Sequence, residues 1–366
     1  PGQQPQEGQP FQPVSAKKRS LRKKVARKPK TQSSKIWNYL PHEWRPTWEN
    51  FLYKLYLRDM PYDPFLNSGV VSEKPKMTVK WLEEGSFTLS SLVVFIASGL
   101  FAWLVYQLSV VVVASLYDID SVLYYYEVMF PIGNASAKWN SLNIIAITLA
   151  GPLFSLLAGV FTYFYLIRKK VVRGFNRFFF LWLSFHLFNF FFGGFVAGVI
   201  TDQGFGYVAN WMFMGMVMKI LISLIFLSIL GFAGYYVVPW LLATAGKPQR
   251  IRSENRVIFI ISQVVVPWIV GSGLLLLLRI PNRPPQHSNI LIYDAIIAST
   301  LGVMAVAMFF NRNARPATVS HRKTNYRVSF IWAVATLLAI LLVRVGLSYG
   351  LHIVMQFSIR LSLFNI

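Results

Sequence analysis

The chain has 366 residues, 55% of them hydrophobic and only 14% charged, where a soluble domain carries about 25% charged residues. Its apolar residues fall in runs long enough to cross a bilayer, which excludes an ordinary water-soluble globule. The absence of cysteine excludes disulfides, thiolate metal sites and cysteine nucleophiles, and the formal net charge of +22 makes the placement of basic residues informative.

Residues 1–33 open with a Gln-, Pro- and Gly-rich stretch that reads as disordered. The chain starts without Met, so a longer precursor or processing is expected, and no signal-peptide pattern follows. Nine of the fourteen residues from 17 to 30 are basic: Lys17, Lys18, Arg19, Arg22, Lys23, Lys24, Arg27, Lys28 and Lys30. Three readings are open for this run. It is a solvated tail that fixes orientation, or a contact for anionic lipid headgroups at about 1 kcal/mol per basic residue, or a contact for an acidic protein or RNA. Aromatic residues do not interleave with the basic ones, so base stacking is unsupported, and nucleic acid is a partner only through this tail.

Residues 34–85 change character, with Trp37, Tyr39, Trp44, Trp48, Tyr53, Tyr62 and Trp81 among charged and proline residues. Such a mixture suits the headgroup zone of a membrane, and equally a small cytosolic subdomain docked on a partner protein.

Seven apolar spans follow, at about 87–116, 142–167, 178–200, 211–245, 257–278, 290–310 and 328–347, and a tail at 348–366. The expected fold is therefore all-α, a polytopic membrane domain over 86–347. The third span is predicted to break at Gly193-Gly194 before a polar turn, Thr201-Asp202-Gln203-Gly204. Spans one and four are longer than a bilayer is thick, so each is expected to tilt, to extend past it or to contain a break, for which span four offers Gly231, Gly234 and Pro239; Pro267 is expected to kink the fifth. One set of loops carries Arg168, Arg173, Arg177, Lys247, Arg250, Arg256, Arg312, Arg315 and Arg322; the other carries Asp118, Asp120, Glu127 and Asp202, with few basic members. The positive-inside rule puts the first set and the N-terminus in the cytoplasm and the C-terminus outside, in a cell membrane read as a bacterial-type inner membrane.

Polar groups inside apolar spans are costly unless paired, so each one marks a pathway or a packing contact. Asp294 and Arg344 are predicted to pair across adjacent spans, and Lys219 to reach Asp202; structural clamps are favoured for both over an ion or proton route. His186 and Asn189, three apart, share a helical face and read as a packing seam. The five histidines never fall at metal-ligand spacing, and no nucleophile elbow, phosphate loop or nucleotide fingerprint is present, so neither cofactor nor metal is expected.

The order of several motifs points further. Span one holds Tyr106-Gln107-Leu108-Ser109-Val110; an extended stretch then ends in Phe130-Pro131-Ile132-Gly133; span two holds Ala150-Gly151-Pro152; span three holds Asn189 and leads to Asp202-Gln203-Gly204. This order resembles the intramembrane metalloproteases of the site-2 protease family. The resemblance implies a zinc-binding His-Glu-x-x-His helix, an extended segment, an Ala-Gly-Pro-like helix and a helix with an Asn and an Asp-Gly supplying the third ligand. Here Tyr106, Gln107 and Val110 replace both histidines and the Glu, and Tyr and Gln cannot substitute for two imidazoles and a carboxylate around Zn²⁺. Asp202 alone makes no site, and Tyr106 falls nearer the outer face, whereas the family's site usually lies toward the cytoplasm. The resemblance thus implies an inactive relative that keeps the scaffold. The leading expectation is a non-catalytic membrane subunit or scaffold of a multiprotein complex, in contact with membrane lipids and other protein subunits. A transporter or channel component and a degenerate intramembrane protease are the alternatives.

Overall fold

The computed structural model describes residues 81–168, 175–245, 250, 255–312, 314–317 and 330–355. All belong to the larger of two compact units, Tyr53–Ile366. The basic tail and most of the aromatic-rich segment lie outside the described residues.

Six helices are long and apolar enough to cross a membrane: Gly85–Ser115, Ser141–Arg168, Asn176–Thr201, Met216–Leu242, Arg256–Leu278 and Ile290–Phe310. This is the architecture of a multi-pass membrane protein. In chain order, α1 is Trp81–Ser115, α2 is Ser141–Phe161 continued by a π-helical turn to Arg168, and α3 is Phe175–Thr201. A short α4, Gly206–Trp211, precedes α5, Met216–Leu242. Then come α6, Arg256–Leu278, α7, Ile290–Phe310, and the shorter α8, Phe330–Leu341, which ends in a π-helical turn to Gly346. Serine and threonine side chains along these helices mostly bond back to their own backbone, as Ser109 does to the Val105 carbonyl and Thr148 to that of Ile144.

The centre of the bundle is α3, whose apolar window is 72% buried, while that of α5 is only 6% buried. Phe95, Trp182, Phe185 and Leu241 form part of the main core, with the Phe95 and Trp182 rings edge to face at 4.8 Å. The predicted break in span three does not occur. Helix α3 runs through Gly193-Gly194 to Thr201 because these glycines make room for a neighbour. A Cβ on Gly193 would run into the Thr300 hydroxyl of α7 and lie 3.1 Å from Asn189 Cγ, whereas one on Gly194 would meet only the Tyr293 hydroxyl at 3.4 Å. The fourth span is likewise unbroken from Met216, and Trp211 belongs to the separate α4.

Two prolines, Pro239 and Pro267, are absorbed inside their helices by donors from elsewhere. A proline removes the N–H that would serve the carbonyl four residues back. For Pro239 that carbonyl is Tyr235, which accepts from Asn311 Nδ2 at 2.8 Å. For Pro267 it is Gln263, in a π-helical turn, which accepts from Ser91 Oγ at 2.7 Å; Trp182 Nε1 donates to that hydroxyl at 3.2 Å. Ser91→Ala should therefore cost about 1–3 kcal/mol by leaving a buried carbonyl and an indole N–H without partners. Denaturant titration in detergent checks this, and a variant as stable as wild type would show that the carbonyl finds another donor.

A three-stranded antiparallel sheet closes one end of the bundle. Its strands β1 (Ser121–Leu123), β2 (Val128–Met129) and β3 (Leu351–Ile353) lie in the order β2-β1-β3, with Val122 opposite both Met129 and His352. The sheet is a small addition to a fold that is otherwise helical as expected, and β3 takes up residues of the C-terminal tail. At the opposite end Arg177 lies over Trp240 at 4.8 Å, Arg250 over Phe87 at 4.2 Å, and Arg256 donates to the Arg312 carbonyl at 3.0 Å.

Candidate functional site

Under the sheet, helices α1, α2, α3, α4 and α7 and the segments that join them surround a cavity of about 120 Å³. Helix α1 contributes Trp103, Tyr106, Gln107 and Val110; the β2 segment contributes Glu127 and Phe130; α7 contributes Tyr293 and Asp294. Arg279 closes it from the end of α6, His287 from the loop that follows, and Gln203 and Gly204 from the turn after α3. Tyr106, Gln107 and Val110, separated by one turn of helix, therefore face a common space with the turn that carries Asp202-Gln203-Gly204.

The supporting contacts explain the residue types. A Cβ on Gly151 would sit 2.7 Å from the Tyr106 ring, so the glycine of the Ala-Gly-Pro turn seats that ring, with Pro152 buried beside it. The Tyr106 ring also packs on Phe190 at 5.4 Å, and its hydroxyl faces that of Tyr293. Where α3 meets α4, Gly198 and Gly206 touch backbone to backbone, which leaves no room for a side chain on either. The chain reverses there through Asp202 and Gly204, at φ of 54° and 50°. This turn sends the Asp202 side chain to the surface and Gln203 inward. Asp202 thus lies outside the cavity that Tyr106 and Gln107 line.

Two buried charge clusters frame the cavity. Asp294, 6% exposed, pairs with Arg279 at 2.6 Å, and Arg279 Nη2 also donates to the Tyr126 carbonyl at 3.2 Å. The expected Asp294–Arg344 pair is not formed. Arg344 instead donates to the carbonyls of Leu278 and Ile280 at 3.1 and 2.9 Å and lies over the Tyr125 ring at 4.2 Å. The reason is local: Arg279 ends the helix just before α7 and is the shorter reach to Asp294. Arg344 then serves the C-terminal carbonyls of α6, whose dipole favours a cation. In the second cluster Glu127, 4% exposed, accepts from the Gln286 N–H at 2.6 Å, the His287 N–H at 3.3 Å and His287 Nδ1 at 2.7 Å. Burial, followed by the charge of Glu127, raises the pKa of Tyr126 above its ordinary value, so its hydroxyl remains a donor at neutral pH.

The remaining polar residues bind helices together. His186 Nε2 lies 3.2 Å from the Phe95 carbonyl, so that nitrogen carries the proton, and the ring packs on Phe95 at 4.5 Å. Asn189 donates to the Ile297 carbonyl at 2.6 Å and accepts from Thr300 Oγ1 at 2.8 Å. One face of α3 therefore grips α1 through His186 and α7 through Asn189. Lys219 does not reach Asp202 directly: its Nζ donates to Asn210 Oδ1, and Asn210 Nδ2 donates to Asp202 Oδ1 at 3.3 Å.

Sequence reasoning did not gather Glu127, Arg279, His287 and Tyr293 into one site. They come from separate loops and helices, and the only available signal was the scarcity of charge on that side of the chain. Among the described residues no three His, Asp or Glu side chains converge to hold a metal. No protein-family model, curated protein or solved structure matches the chain.

Proposed function

We propose that the chain is a non-catalytic integral membrane subunit or scaffold of a multiprotein inner-membrane complex, built on a frame of site-2 protease type. The observation that carries this reading is the seating of the Tyr106 ring on Gly151. The altered motif position and the Ala-Gly-Pro turn meet in space, and the group that meets there is a packed phenol instead of a metal ligand. Gln107 and Val110 complete the same wall. What remains is a shaped cavity with aromatic walls and a few buried polar groups, suited to recognition.

The reading includes an orientation. Arg177, Arg250, Arg256 and Arg312 gather at the end opposite the sheet, and Asp118, Asp120, Glu127 and Asp202 at the sheet end. The basic end is assigned to the cytoplasm, with the basic tail and its anionic lipid or protein contacts on the same side. The sheet and its cavity then lie on the far side.

Purification of the full chain from its native membrane in mild detergent tests the reading. Companion proteins in fixed ratio and no stoichiometric zinc by elemental analysis are expected. A monodisperse protomer without companions overturns the subunit assignment, and one equivalent of zinc overturns the non-catalytic one.

A further inference from the structure

The cavity beneath the sheet has spare hydrogen-bonding capacity of one predominant sign. Among the residues that line the cavity, the buried polar atoms with no protein partner are Trp103 Nε1, Arg279 Nε, Tyr126 Oη and Tyr293 Oη, and Asp294 Oδ2 is the one that only accepts. The two nitrogens only donate, and each phenol has a proton to give. Unpartnered buried polar atoms are costly, and protein interiors carry few of them.

The charges limit what such a group of donors can receive. Arg279 is already neutralised by Asp294, and Glu127 already accepts from three donors. An anion would face both carboxylates, and a cation would face the Arg279 guanidinium. A neutral ligand with acceptor atoms meets neither penalty. Its shape follows from the walls: Trp103, Tyr106, Phe130, Phe190, Tyr207 and Tyr293 present aromatic surfaces that favour a flat ring. The volume, about 120 Å³, is close to the ~150 Å³ of an apolar cavity that takes up benzene.

We propose that this cavity binds a neutral, planar six-membered ring bearing carbonyl oxygens, the chemistry of a quinone, with Trp103, Tyr126 and Arg279 donating to the carbonyls. The assignment concerns binding alone and stands whether or not the chain is a subunit of a larger complex.

Two probes of nearly the same shape separate hydrogen bonding from simple filling: 1,4-benzoquinone and p-xylene. The chain has no cysteine to add to the quinone, and at about pH 6 its lysine amines are protonated and unreactive toward it. Equilibrium dialysis at that pH against the detergent-solubilised full chain, with empty micelles as blank, should give one quinone per protein, bound at least about tenfold more tightly than p-xylene. Tyr126→Phe, which removes only the hydroxyl, should weaken the quinone several-fold and leave p-xylene unchanged. Trp103→Phe should do the same, and if it fails to fold, Tyr126→Phe decides alone. No saturable quinone binding, equal affinity for the two probes, or unchanged quinone binding in Tyr126→Phe each overturns the proposal.

Discussion

Arg279→Met is expected to destabilise the protein by about 3–5 kcal/mol, because it leaves the Asp294 carboxylate buried without its counter-charge. The same principle makes a second expectation from one site. Adding Asp294→Leu to that variant should restore most of the loss, since an apolar pair of similar volume avoids the desolvation of both charges. Arg344→Met should cost less than Arg279→Met, for it uncaps carbonyls at a helix end instead of stranding a charge. Denaturation in mixed micelles measures all three. If the double variant is as unstable as Arg279→Met, the pair is not what holds these helices, and the Tyr126 carbonyl that Arg279 also serves becomes the better candidate.

The second large effect is expected at the contact between α5 and α7. A Cβ on Gly234 would fall on the backbone of Met304, with its Cα at 2.8 Å and its carbonyl carbon at 2.9 Å. Backbone cannot rotate aside as a side chain can. Gly234→Leu should therefore push α5 away and cost at least about 3 kcal/mol, at the upper end of overpacking effects. Gly231 lies one turn earlier on the same helix, and a Cβ there meets only a Val303 methyl at 3.8 Å. Gly231→Leu should be tolerated within about 1 kcal/mol, so the comparison separates close approach from helix propensity. Equal yields and melting temperatures for the two variants would sink the account of α5 docking.

What was legible in the sequence, and what was not, follows from the range over which each signal acts. The spans are written in contiguous residues, and six of them stand as continuous helices close to the expected bounds. His186 is recognisable from sequence as a polar group in an apolar span, whereas its partner, the Phe95 carbonyl, is named by no local signal. The misreadings concern partners. Gly193 and Pro239 were read as interruptions because propensity counts only the cost inside a helix. In the fold, Thr300 and Asn189 crowd against Gly193, and Asn311 satisfies the carbonyl that Pro239 frees. Asp294 was matched to Arg344 on a neighbouring span, when Arg279 is nearer along the chain. Strands of two and three residues carry too little alternation to be seen, and β1 has its second partner in β3 near the other end of the described chain.

That last pairing bears on how the molecule is made. Ser121 finds Ile353, and Glu127 finds His287, only after the intervening helices have been laid down. Local helices form early, whereas contacts between distant segments wait for the loop between them to close. During synthesis the exit of the first helix therefore carries a hairpin with one strand edge open until β3 is made, and a lone carboxylate until His287 is made. The third strand is the last of the three to be added, and a chain cut before Leu351 would possess the helices and the β1–β2 hairpin with one edge of β1 left open. Such a protein would be inserted and apolar, with an unpaired strand edge offered to any other chain that reached it.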